Sequence, residues 1–244
     1  MICLELFGFF LFGIILIVCF SEFLALILEK KDSKVIRPKK IFSLMTEMYC
    51  RFVIRLFRVK VVIKNEELID YSKKYLFISN HQSNVDPLVL IPSFHKFDLT
   101  FLIKKELMDI KVLGRYLNSA GFYGLDRDNN REGLKTILKA VEACKVRTFG
   151  VFPEGTRSKS GVMLPFRDGI FKVPQKAGAD VLICCLSNAN EIKHNFPFKK
   201  TIVNVTICGV WKNEDIRDMT TKEISDIAHK MIQDCLNNGG TINE

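Results

Sequence analysis

Residues 80–87 read Asn-His-Gln-Ser-Asn-Val-Asp-Pro and set an imidazole and a carboxylate five positions apart. Histidine is the side chain best suited to take a proton near neutral pH. A carboxylate on its far nitrogen fixes the tautomer and stabilises the imidazolium. In a continuous helix, positions i and i+5 point about 140° apart, so His81 and Asp86 can face each other only where the helix is broken. Pro87 pushes the residue before it out of the α region. That predicts Asp86 as an N-cap, Pro87 at the first helical position, and a bend that returns His81 toward the carboxylate. On spacing alone, a capping aspartate beside an incidental loop histidine is an equal reading. Two more polar segments follow apolar runs. Gly121–Asp128 ends a run in Asp126-Arg127, by itself a weak signal and more often a solvated turn. In Phe152-Pro153-Glu154-Gly155-Thr156-Arg157-Ser158, proline and glycine hold a tight loop and Arg157 can grip phosphate through its planar fork.

Short β-branched and aromatic runs at 59–65, 74–80, 99–103, 120–125, 149–153, 179–186 and 201–210 read as strands. Helical patterns lie between them at 130–146 and 220–236, with shorter ones near 87–93, 106–118 and 169–177. The alternation predicts an α/β fold, a mixed or parallel and largely buried sheet flanked by helices. The unbroken apolar character of ADVLICCL suits a central strand covered on both faces. The three polar segments then fall just past strands, where α/β folds place their sites.

The 244 residues carry 48% apolar side chains, which excludes intrinsic disorder. The net charge is +9, yet residues 1–29 hold three acids and no base, so the remainder carries +12. Leu6 to Leu28 form an apolar run interrupted by Glu22. As a helix it rises about 34 Å, enough to cross a ~30 Å hydrocarbon core. A basic collar follows, and the positive-inside rule places the downstream chain on the cytoplasmic side of the membrane. From Ile41 to Phe57, Ile41, Leu44, Met45, Met48, Phe52 and Leu56 recur at helical spacing. This amphipathic helix lies on the bilayer or faces the core; the pattern supports both. Two parts are expected: membrane-anchoring helices over 1–57 and a single domain over 58–244. The eight cysteines form no CxxC, the four histidines are isolated, and no metal site is expected. The basic body raises nucleic acid as a partner, but the densest basic cluster adjoins the apolar head and no nucleic-acid motif is present.

The string N-H-Q-S-N-V-D-P, then K-K-E-L at 104–107, G-x-x-x-x-D-R at 121–127 and F-P-E-G-T-R-S at 152–158 resembles the 1-acylglycerol-3-phosphate acyltransferase family. The resemblance covers roughly residues 60–190. It implies that His81 is the general base, oriented by Asp86, and that the acceptor hydroxyl attacks an acyl-CoA or acyl-carrier-protein thioester directly. It further implies that Arg157, with Glu154, Gly155 and Thr156, forms the loop for the acceptor phosphate. Lys105, with Lys104 or Arg127, would add positive charge there. No bound cofactor is implied. The implied activity is acylation of lysophosphatidic acid to phosphatidic acid at a membrane. Acylation of glycerol 3-phosphate or another lysolipid, and a non-catalytic lipid-binding module, are the alternatives. Where the family usually carries a V-P-I-x-P-V-like strand, this chain has Val181-Leu182-Ile183-Cys184-Cys185-Leu186, with neither proline.

Overall fold

The structure is a computed structural model that describes residues 40–126, 130–158 and 162–239. The apolar run at 6–28, with the membrane helix expected there, lies outside the described residues.

Among the described residues the first elements are helix α1 (Lys40–Leu56) and strand β1 (Val59–Lys64), followed by β2 (Tyr75–Ser79) and α2 (Asp86–Ser93). Next come β3 (Thr100–Lys104), α3 (Lys105–Asp109), α4 (Lys111–Ser119) and β4 (Tyr123–Leu125). Helix α5 (Asn130–Val146), β5 (Phe149–Val151), α6 (Lys172–Ala177) and β6 (Asp180–Ser187) continue the alternation. The last elements are α7 (Ile192–Asn195), β7 (Thr201–Trp211), α8 (Asn213–Ile216) and α9 (Thr221–Asn237). Every run read as a strand is one.

The seven strands form one mixed sheet in the order β1-β7-β6-β2-β5-β3-β4. Strands β6, β2, β5, β3 and β4 run parallel, and β7 joins β6 antiparallel. Successive residues of a strand point to opposite faces. Along β2, Tyr75 and Phe77 enter one core while Leu76 and Ile78 enter the other. Strand β6 divides likewise, Leu182, Cys184 and Leu186 against Val181, Ile183 and Cys185. Both faces are therefore covered, which is why β6 carries no polar alternation. The six described cysteines are free and buried.

Helix α1 buries Phe42, Met45 and Cys50 and leaves Ile41, Leu44, Met48, Phe52 and Leu56 between 38% and 58% exposed. The single stripe read from the sequence thus splits: Met45 turns inward and the other five residues form an exposed apolar band. Among the described residues no helix is long and apolar enough to cross a membrane.

Candidate active site

Strand β2 ends in a buried polar pair of residues. Asn80 is 2% exposed; its Nδ2 donates to Leu186 O (2.9 Å) and its Oδ1 accepts from Leu186 N (2.8 Å). This pair of hydrogen bonds fastens the carboxyl ends of β2 and β6 together at the point where β2 stops. The chain then leaves the sheet as a non-helical loop and re-enters regular structure at α2. The helix starts one residue earlier than expected: Val85 is the N-cap, Asp86 is the first helical residue and Pro87 the second. Asp86 does not cap. Its carboxylate reaches backward into the loop.

That backward reach brings the His81 ring and the Asp86 side chain together. His81 Nδ1–H donates to Asp86 Oδ2 at 2.8 Å, and the same oxygen accepts from Gln82 N (2.7 Å) and Ser83 N (2.8 Å). The loop is curled around one carboxylate oxygen, while Asp86 Oδ1 is buried with no hydrogen-bond partner. Asp86 is fully buried, and desolvation pushes its carboxyl above the ordinary aspartate value while the His81 contact pulls it down. With Nδ1 engaged, Nε2 is the ring nitrogen left for a substrate.

The loop after β5 braces this arrangement. Glu154, 4% exposed, accepts from His81 N through Oε1 (2.6 Å) and from Leu164 N through Oε2 (2.8 Å). Ser158 N donates to His81 O at 3.2 Å. Both main-chain groups of His81 are therefore held by the 152–158 loop. Burial raises the Glu154 carboxyl above its usual value, and the two backbone donors oppose that rise. Both Glu154 oxygens accept from backbone N–H groups, so the residue shapes the loop and does not itself face a ligand. Gly155 sits at φ +71°, and a Cβ there would stand 2.8 Å from Arg167 Nε. Glycine supplies the left-handed turn and lets the Arg167 guanidinium lie across the loop.

The imidazole is packed as well as bonded. Phe152 stacks on His81 with centroids 4.2 Å apart and planes 14° apart, and Phe101 stacks on Phe152 at 5.1 Å and 10°. Gly150 makes this possible, because a Cβ there would come within 2.4 Å of the Phe101 ring. Asn80, Phe152, Gly150 and Arg167 were not singled out from the sequence. Only their neighbours in space give them a role, although Asn80 and Phe152 stand inside the quoted motifs.

Beside the loop opens a cavity of about 770 Å³. Gln82, Ser83, Arg157 and Ser158 line its near side, so the first and third motifs meet at one opening. Arg157 is exposed at this rim; Thr156 is exposed but is not among the lining residues. Lys105 is not among the lining residues and pairs with Asp126 at 2.9 Å, tying the second motif to the strand β4 turn. Lys104 pairs with Glu106. Arg127 lies outside the described residues. No group of three or more His, Cys, Asp or Glu among the described residues could hold a metal ion.

A family model described as Acyltransferase matches residues 60–187, just over half of the chain. The chain belongs to the acyltransferase family. It is 36% identical over 124 residues to a 1-acyl-sn-glycerol-3-phosphate acyltransferase of Saccharomyces cerevisiae, spanning 49% of this chain and 41% of that protein. It is 31% identical over 143 residues to the protein of the same name from Salmonella typhimurium, spanning 57% and 58%. The chain thus spans about half the length of these relatives. A solved structure of the 1-acyl-sn-glycerophosphate (LPA) acyltransferase from Thermotoga maritima aligns with a TM-score of 0.68. It shares 20% identity and covers 93% of this chain and 89% of that one, a likeness of fold.

Proposed function

We propose that the protein transfers a fatty acyl group from an acyl thioester to the free hydroxyl of 1-acylglycerol 3-phosphate, forming phosphatidic acid. The observation that carries this reading is the 2.8 Å contact of His81 Nδ1 with buried Asp86 beside a cavity rimmed by Arg157. His81 Nε2 takes the hydroxyl proton as the acceptor oxygen bonds to the thioester carbonyl carbon. The carbon–sulfur bond breaks, and the proton passes from His81 to the departing thiolate, which leaves as free thiol. Asp86 holds the ring and stabilises the imidazolium formed between the two transfers. Arg157 holds the acceptor phosphate and so fixes the hydroxyl relative to His81, and positioning of that kind alone can lower a barrier by several kcal/mol. The names of the relatives support the acceptor and the reaction.

The exposed apolar band on α1, the apolar run at 6–28 and the basic collar between them support a place at a bilayer. The charge asymmetry supports the cytoplasmic face. Lysophosphatidate would then reach the site from the membrane and the thioester from the aqueous side.

Purified protein in detergent, offered lysophosphatidate and glycerol 3-phosphate side by side with labelled acyl-CoA or acyl-carrier protein, tests the reading. Thiol release that depends on lysophosphatidate, with a labelled product migrating as phosphatidate, is the expected result. Transfer to glycerol 3-phosphate alone, or no acceptor-dependent thiol release, overturns it.

A further inference from the structure

Strand β6 carries Cys184-Cys185 in the run that lacks the prolines usual in the family, and acyl transfer uses neither thiol. Alternation along the strand sends Cys185, with Val181 and Ile183, into the core that α9 covers. Cys208 of β7 enters the same core. It lies where the β6–β7 pairing skips a residue, Ile183 facing Gly209 and Cys184 facing Ile207. Helix α9 turns Ile224, Ala228, Ile232 and Cys235 inward at helical spacing. Gly209 lets this helix approach the sheet closely, since a Cβ there would stand 2.9 Å from Met231 Cε. Three buried thiols from three elements therefore meet, each hydrogen-bonded to the other two.

The three are not equivalent. Cys235 Sγ accepts from the Cys185 and Cys208 thiols, which hold its own thiol below the ordinary value against the pull of burial. The Thr206 hydroxyl and the Lys64 ammonium act in the same direction. Cys185, as a donor, is pushed upward. Cys50 and Cys144 show the behaviour of inert core thiols, pushed up to about 12 chiefly by burial. The cluster also adjoins the active site along two strands of contact. Leu186, next to Cys185, takes both hydrogen bonds of Asn80, and Asn80 precedes His81. Leu236, next to Cys235, lines the 770 Å³ cavity with Gln233 and Asn237. A disulfide fixes its two Cα atoms about 4.4–6.8 Å apart, so one between Cys185 and Cys235 would clamp the end of α9 onto β6.

We propose that Cys185, Cys208 and Cys235 form a redox-modification site, at which peroxide links Cys235 to Cys185 as a disulfide that lowers acyl transfer. The Cys235 thiolate attacks one peroxide oxygen and the O–O bond breaks. The hydroxide released takes up the proton the thiol had lost and leaves as water, and Cys235 becomes a sulfenic acid. The Cys185 sulfur then attacks the Cys235 sulfur and displaces hydroxide, which leaves as water with the Cys185 proton. Two thiols lose two electrons in all, and one peroxide is reduced to two waters. In a reducing compartment such a bond is transient and reports the redox state. The crosslink stands on the arrangement of the thiols; only its effect on turnover rests on the acyl-transfer reading above.

The test treats the full chain in detergent with hydrogen peroxide, blocks the remaining thiols and maps disulfides by mass spectrometry of a non-reduced digest. A Cys185–Cys235 peptide pair that dithiothreitol removes is the expected result, and it is read in the wild type without any substitution. Transfer of a labelled acyl group to lysophosphatidate should fall about tenfold on oxidation and return on reduction, within what a misplacement of about 1 Å costs. Cys235→Ser and Cys235→Ala should transfer at the wild-type rate and lose the sensitivity, whereas Cys144→Ala should keep it. A bond between Cys185 and Cys208, or no crosslink in the folded protein, overturns the site. A Cys185–Cys235 bond with unchanged transfer overturns its effect on turnover. If neither the oxidised nor the reduced protein transfers acyl groups, the functional reading fails and the mapped crosslink still decides the site.

Discussion

At the carboxyl end of the sheet, Asp86 and Glu154 are buried, and three of their four oxygens accept from four backbone N–H groups and one imidazole. At the amino end, Arg147 is buried just ahead of β5, its Nε donating to Asp98 O at 2.9 Å and its Nη2 to Asp98 Oδ1 at 3.0 Å. Ser43 Oγ donates to the same Asp98 Oδ1 at 2.8 Å, fastening α1 to the loop before β3. Each end has a cavity, about 420 Å³ at the amino end and 770 Å³ at the carboxyl end. The amino-end cavity mixes both signs of charge, with Glu47 and Asp98 among Lys40, Lys96 and Arg147. Its buried ion meets an opposite charge inside the protein. At the other end the buried acids hold a ring whose second nitrogen is available, next to a cavity whose described lining residues include Arg157 and Lys193 and no acid. Buried charge is common to both ends; a reactive group left open beside a cavity of one sign belongs to one.

The largest test of that contrast is His81→Ala, which should lower kcat by about 10²–10⁴-fold, the usual contribution of a general base, with little change in thermal midpoint. Asp86→Asn added to it should cost little more, because the two act as a unit. Substantial turnover in His81→Ala would move the base elsewhere. Next is Arg147→Met, expected to destabilise by about 1–3 kcal/mol in denaturant titration by removing two hydrogen bonds to the partly exposed Asp98, with kcat per folded molecule unchanged. A loss of kcat without loss of stability would erase the distinction between the ends.

Glu154→Gln should cost about 1–3 kcal/mol, since a carboxamide accepts at one end and turns an N–H group toward a donor at the other. It should also flatten a pH dependence. The folded-state carboxyl lies above the usual value of 4.5, so its contribution is fully present below 4.5 and is lost as pH rises through the raised value. Thermal midpoints of the wild type should therefore fall more than those of the variant from pH 4.5 upward; parallel curves would show that Glu154 does not titrate as described. The smallest effect is expected for exposed Arg157. Its replacement by alanine should raise the KM for a phosphorylated acceptor about tenfold with kcat little changed, because ground and transition states share that contact. An unchanged KM would shift phosphate recognition to Arg167 or Lys105.

The strands were legible because a sheet covered on both faces forces nearly continuous apolar runs, as in YLFIS of β2 and DVLICCL of β6. The two polar loops were legible because proline and glycine punctuate them just past strands. Sequence periodicity could not sort the apolar positions of α1, since Met45 and Met48 carry the same hydropathy and only tertiary burial, 8% exposure against 58%, separates them. Nor could spacing assign Glu154. Its hold on the His81 backbone joins residues 73 positions apart, which no local pattern shows.

Residue order alone settled the elements, their alternation, and the presence of an imidazole and a carboxylate within one short break before a helix, because these follow from local propensity and hydrophobic period. Folding in three dimensions chose the rest. The direction of the Asp86 side chain, the stacking of Phe152 on His81 and the meeting of Gln82, Arg157 and α7 around one cavity depend on contacts between segments tens of residues apart. Local rules do not reach across that separation; packing against a shared sheet edge does.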